Sequence, residues 1–130
     1  MSEFTQSYRD AYLCAENAAK TENINSIHMI YGIIRCGKGI SSKVLKDFGL
    51  NQTKVKKYFP IHIPLNSLSR AIVDHSMRLA DNMGDELAAP EHMLFSLLSE
   101  GTDAYNMLID MKVDPEKVKS ELLRLMNTEE

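Results

Sequence analysis

The chain repeats itself. Ile27-His28-Met29-Ile30-Tyr31-Gly32-Ile33-Ile34, ending at Gly37, returns 64 residues later as Glu91-His92-Met93-Leu94-Phe95-Ser96-Leu97-Leu98, ending at Gly101. After one residue is dropped in the next loop, the offset becomes 63 and the correspondence continues. Leu45 then falls on Leu108, Leu50 on Val113, Asn51 on Asp114, and Lys54-Val55-Lys56 on Lys117-Val118-Lys119. A period of this length means that one supersecondary unit occurs twice, and it dictates how the remainder is read. Repeat one spans about residues 3–59, a linker about 60–65, and repeat two about 66–126.

Each unit reads as four helices. In the first, Phe4, Tyr8, Ala11, Tyr12, Ala15, Ala18 and Ala19 recur at helical spacing from a start near Phe4-Thr5. Ser26 is expected to cap a helix over His28 to Cys36, and Gly37-Lys38-Gly39 to break the chain. Ser41 or Ser42 then caps a short helix bearing Val44, Leu45 and Phe48, and Asn51 caps Gln52 to Phe59. Pro60-Ile61-His62-Ile63-Pro64 cannot continue a helix, because each proline pushes its predecessor out of the helical region. The second unit starts at Ser67 and runs to Met83, with Leu68, Ile72, Leu79, Ala80 and Met83 expected on its inner face. Pro90 to Leu98 opens with proline at the first helical position and an acid in the first turn. Asp103 to Met111 follows, and Asp114-Pro115-Glu116 opens the last helix, to about Met126, with Val118, Leu122, Leu125 and Met126 inward. No stretch alternates at period two for long enough to make a strand. The expectation is an all-α fold of eight helices, in two tandem four-helix repeats related by a pseudo-twofold. A unit of about 60 residues buries too little surface to be comfortable alone, so the two should share a core.

Bulk properties close off several function classes. With 44% hydrophobic and 25% charged residues the chain is globular rather than disordered. Its apolar runs fall well short of the ~20 residues that span a bilayer, and no secretory leader opens it, so no membrane is expected and the setting is expected to be cytoplasmic. Net charge is −3 and the one basic cluster, Lys54, Lys56 and Lys57, reads as a solvated helix face, so no nucleic acid is expected as a partner. Cys14 and Cys36 lack metal spacing and read as free buried thiols in a reducing compartment. There is no G-x-x-x-x-G-K-[ST] phosphate loop.

The ordered duplication, a helix, then a histidine-led apolar helix, a glycine loop, a short helix and an Asn/Asp-capped helix, resembles the Clp N-terminal domain of the Clp/Hsp100 AAA+ unfoldases. The residues carrying it are Pro90-Glu91-His92-Met93-Leu94 through Gly101, then Met107-Leu108 and Val113, with His28 to Gly37 and Val44 to Leu50 as a diverged first copy. Ser76-Met77, Ala80 and Gly84 are similar to the ClpC type, and the short linker favours ClpC over ClpB. The resemblance covers roughly residues 3–126. It implies a non-catalytic domain that takes up substrate proteins and adaptor proteins for Clp ATPase and protease components, with no cofactor. The alternative is a stand-alone regulator or adaptor of the same fold that docks onto a Clp partner. The resemblance also points to one candidate site. In ClpC-type domains that read phosphoarginine, a glutamate just before the histidine pairs with the guanidinium, helped by a threonine near the unit's first helix. Glu91 matches that glutamate; the threonine position holds Asn66. In the first copy Phe4-Thr5 resembles the opening pair, but Ile27 replaces the glutamate.

Other residues have plainer readings beside the functional ones. His28 and His92 stand near helix starts, where a capping or packing role outweighs zinc, which needs three or four convergent ligands. His62 and His75 receive no role. A thiol enzyme using Cys14 would need a base and a nucleophile motif, and none surrounds it. Glu91 has no second carboxylate tied to it by spacing for acid–base work, and its plain role is that of a first-turn acid. Met29, Met77, Met83, Met93, Met107 and Met111 fall mostly on inner faces, as adaptable core filler or as the lining of a groove for varied peptides.

Overall fold

The computed structural model describes residues 4–20, 23–59 and 69–128. Among these, eight helices follow in order: α1 (Gln6–Ala19), α2 (Ser26–Cys36), α3 (Gly39–Asp47), α4 (Gln52–Lys56), α5 (Ser69–Asn82), α6 (Pro90–Leu97), α7 (Asp103–Asp110) and α8 (Pro115–Thr128). The described residues contain no strand; one isolated parallel bridge joins Phe4 to Ala88. The fold is all-α, two tandem four-helix repeats. The expected linker and the Ser67-Leu68 start of the second unit lie outside the described residues, as do His62 and Asn66.

Helix starts follow local chemistry, with two corrections. Thr5 caps α1, its Oγ1 accepting from Tyr8 N at 3.1 Å, and Asn51 caps α4 through Lys54 N at 2.9 Å. The cap of α2 is Asn25, not Ser26. Asn25 Oδ1 accepts from Ile27 N at 2.8 Å and His28 N at 3.4 Å, while Ser26 has turned inward as the first helical residue. Neither Ser41 nor Ser42 caps α3. That helix already begins at Gly39, which puts both serines a half-turn inside it and buries them. Gly37 ends α2 in the left-handed conformation, φ 67°, its N–H bonding Ile33 O. The fourth helix is shorter than expected: after Lys56 the chain tightens into turn bonds, Tyr58 N to Val55 O and Phe59 N to Lys56 O.

The core runs through both repeats. Met29, Ile30, Ile33, Leu45, Met93, Leu94, Leu97, Leu98, Leu108 and Leu122 are all effectively sealed from solvent. The central helices α2 and α6 touch each other, and each also reaches into the other repeat, α2 onto α7 and α6 onto α3. Single bonds reinforce this crossing. Ala104 N donates to Ser26 Oγ at 2.9 Å, Asn25 Nδ2 to Asp103 Oδ2 at 3.2 Å, and the Tyr58 hydroxyl to Asp110. Within repeat one, α1 lies against α2 with almost no gap at Gly32, where a Cβ would stand 2.2 Å from Ala11 O.

Some inner-face expectations need amendment. Ile72 and Ala80 of α5 are buried, but Met83 is 39% exposed because α5 ends just before it. Met29, Met93 and Met107 are core filler, whereas Met77 and Met111 are half-buried. Leu125 and Met126 are only partly covered, being near the end of α8. Lys54, Lys56 and Lys57 do form an exposed face, with Lys56 Nζ 5.9 Å from the Tyr31 ring centroid.

Candidate functional site

The N-terminus of α6 assembles the candidate site from both repeats. Pro90 fixes the first helical φ, and Ala89 precedes it in extended backbone. Ala89 has no side-chain acceptor, so only the histidine half of a reciprocal cap forms: Ala89 N donates to His92 Nδ1 at 2.8 Å. An Nδ1 that accepts leaves the ring proton on Nε2, which donates to Asp85 Oδ2 at 2.9 Å. His28 makes the matching bond in the first copy, accepting from Asn25 N at 3.1 Å through Nδ1, and packs edge-on against Phe59. Both histidines therefore hold helix starts. Among the described residues no group of three metal-ligating side chains comes together.

Glu91, half-buried at the second helical position, accepts from Ser41 Oγ of α3 at 3.2 Å. Burial pushes its carboxyl above the ordinary value, opposed by the Ser41 bond and the neighbouring His92. It stands on the wall of an open groove of about 430 Å³ with Ile40, Leu87 and Met126 as apolar walls and Asp85 and Glu86 on the rim. In the first copy Ile27 is buried in the core and offers no carboxylate. Thr5 is occupied as a cap, and its N–H bonds Ala88 O at 3.0 Å, which ties the start of repeat one to the loop before α6. Sequence reasoning anticipated the helix-start role of the histidines. It missed Ile40 and Leu87 and the role of Ser41, which reach the site from 50 residues away or from an irregular loop and leave no periodic trace.

Two further features lie outside that groove. The thiols of Cys14 and Cys36, expected to be buried, are half-exposed and adjacent, Sγ to Sγ 3.7 Å. His75 Nδ1 lies 2.9 Å from Ser96 Oγ, and burial pushes that imidazole below its ordinary value, with Arg78 adding to the effect.

The architecture, a duplicated four-helix unit with histidine-anchored central helices, is similar to that of the N-terminal domains of Clp-type chaperones. The N-terminal domain of ClpD from Arabidopsis thaliana superposes with a TM-score of 0.76 at 15% identity, over 96% of this chain and 95% of that one. The Hsp104 N-terminal domain from Candida albicans gives 0.79 at 13% identity, over 96% and 92%. In sequence the chain is similar to the ClpA/ClpC type. It is 25% identical over 95% of its length to the chloroplastic chaperone ClpC1 of Arabidopsis thaliana, and 25% to the chloroplastic ClpA homologue of Brassica napus. The chain spans 15% and 16% of the length of these two relatives. No family model matches it. Among the described residues no helix is long and apolar enough to cross a membrane.

Proposed function

We propose that this chain is a non-catalytic recognition domain that binds substrate proteins or adaptor proteins for a Clp ATPase, with the Glu91 groove as its binding site. The observation that carries this reading is a carboxylate kept half-buried among apolar walls, where burial works against its charge. A carboxylate there is matched to a guanidinium, whose planar donors it meets two at a time. Apolar walls from Ile40, Leu87 and Met126 would take the side-chain stem. Residues 1–130 act as one domain on this reading, with repeats over about 3–59 and 66–126. Two free thiols favour a reducing setting such as the cytoplasm.

Calorimetric titration with free phosphoarginine and with an unmodified arginine peptide, beside Glu91→Ala, tests it. Saturable binding near one site per chain, lost in the variant, supports the groove. Preference between the two ligands reports on the rim, because Asp85 and Glu86 repel a phosphoryl group and favour the unmodified cation. Binding of neither removes Glu91 from the function. Recognition would then move to the apolar groove between α1 and α5, lined by Tyr8, Tyr12, Leu13 and Val73, where Leu13 is 54% exposed.

A further inference from the structure

We propose that Cys14 and Cys36 are a thiol pair that closes, reversibly, into an intramolecular disulfide tying α1 to α2. The two sulfurs already lie 3.7 Å apart in the reduced chain. A disulfide needs about 2.05 Å, so closure asks each sulfur to move by under ~1 Å, within the range of small side-chain rotations. Gly32, one turn before Cys36, sets the α2 backbone directly on Ala11 and Ala15, which lie about one turn before Cys14 and next to it. The pairing thus stands on a close backbone contact between α1 and α2, not on two loose side chains that happen to meet.

The two thiols are unequal, which orders the chemistry. Cys14 stands on the wall of an open groove with Lys20, Arg35 and Lys56, which a small oxidant can enter. Cys36 is pushed up to about 11, first by burial and then by its hydrogen bond and charge interaction with Cys14. Cys14 faces the wide basic groove whereas Cys36 lines a pocket of only about 80 Å³, so Cys14 is the thiol that meets a peroxide. Its sulfur attacks one peroxide oxygen, the O–O bond breaks, and water leaves, giving the sulfenic acid at Cys14. Cys36 sulfur then attacks Cys14 sulfur; the S–O bond breaks and the hydroxyl departs as water with the proton of Cys36. The sulfur pair loses two electrons and the peroxide gains them. A dithiol reductant reverses the bond by exchange. Paired thiols of this kind in reducing compartments are characteristically transient and sensing, not structural.

The test uses the full chain, reduced, then exposed to hydrogen peroxide near stoichiometry and quenched by alkylation without unfolding. Intact mass and peptide mapping should give a monomer two hydrogens lighter with Cys14 joined to Cys36. Its Tm should stand about 10 °C above that of the reduced form, as closing a loop of this length predicts, and return on adding dithiothreitol. Cys36→Ser should stop at a sulfenic acid on Cys14 that dimedone captures, and Cys14→Ser should react far more slowly. Uptake of two alkyl groups by the peroxide-treated chain, progression of Cys14 to the sulfinic acid with Cys36 free, or a disulfide found only between chains would each overturn the proposal.

Discussion

Replacing Gly32 by alanine should weaken this domain, although helix propensity alone says the opposite. In the interior of α2, exchanging glycine for alanine favours the helix by about 1 kcal/mol. Here the new Cβ would meet Ala11 O at 2.2 Å, Ala15 N at 3.1 Å and Ala11 C at 3.2 Å. All three are backbone atoms of α1, so no rotamer change relieves them. Ordinary van der Waals contact begins near 3.4 Å, and α1 must back away from α2 by roughly 1 Å at this point. A gap of that size forfeits about a quarter to a half of each affected dispersion contact, and the contacts affected are those of Ala11 and Ala15, both buried. Overpacking costs typically about 1–3 kcal/mol; a 2.2 Å approach to main-chain atoms puts this site at the top of that range, about 3 kcal/mol, which less the ~1 kcal/mol of propensity leaves a net loss of about 2 kcal/mol. At ~2.1 cal/mol/K per residue, 130 residues give an unfolding entropy of about 0.27 kcal/mol/K, hence a Tm lower by roughly 7 °C. Scanning calorimetry of the reduced chain reads this directly. Ala11→Gly in the same molecule should not rescue it, because the obstructing oxygen is main-chain. A Gly32→Ala Tm equal to or above that of the parent would refute the close helix contact and the reasoning built on it.

Three other outcomes follow from the same structure. Asn25→Ala removes the α2 cap and strands buried N–H groups at Ile27 and His28, so urea denaturation should register a loss of about 2–4 kcal/mol, against about 1 kcal/mol for the exposed cap Asn51→Ala. The buried Tyr8 hydroxyl has only Ser76 beside it, whose own hydroxyl donates to Ile72 O, and makes no well-formed hydrogen bond among the described residues; burial pushes it up to about 12, opposed by Ser76. Tyr8→Phe should therefore stabilise the domain, by about 1 kcal/mol, with an unchanged denaturant slope. Glu91 has a folded pKa above its unfolded value of 4.5, so the folded state binds the extra proton and stability falls as pH rises through that interval. Glu91→Gln should accordingly be at least as stable as the parent at pH 7. The difference should vanish at pH values below 4.5; an advantage that grows on acidification would contradict the assignment.

The parts legible in the sequence were those written locally. The helix count and the helix-anchoring histidines rest on spacing within a dozen residues, and the duplication on the same short patterns recurring at offsets of 64 and 63 residues. Errors appeared where one local reading competed with another. Ser26 is as good a cap as Asn25 on paper, but only Asn25 leaves Ser26 free to receive Ala104 N from the other repeat. Ser41 and Ser42 looked like caps because buried mid-helix serines are uncommon; Ser41 is inside because it serves Glu91. The groove itself and the thiol pair were not legible. The groove joins an irregular loop to residues of α3, α6 and α8, and the thiol pair lies between α1 and α2; periodicity records which face of a helix is buried, not what lies opposite it.

The crossing of α2 onto α7 has a consequence for synthesis. When residue 59 has been made, every helix of repeat one exists as sequence, yet the surface that α2 turns toward α6 and α7 is still uncovered. Ser26 waits for Ala104, and α2 for the packing of α6 and α7. At about 5–20 residues per second, the further ~50 residues need several seconds. For that interval the nascent chain displays the hydrophobic seam of a half-built domain, of the kind that chaperones bind.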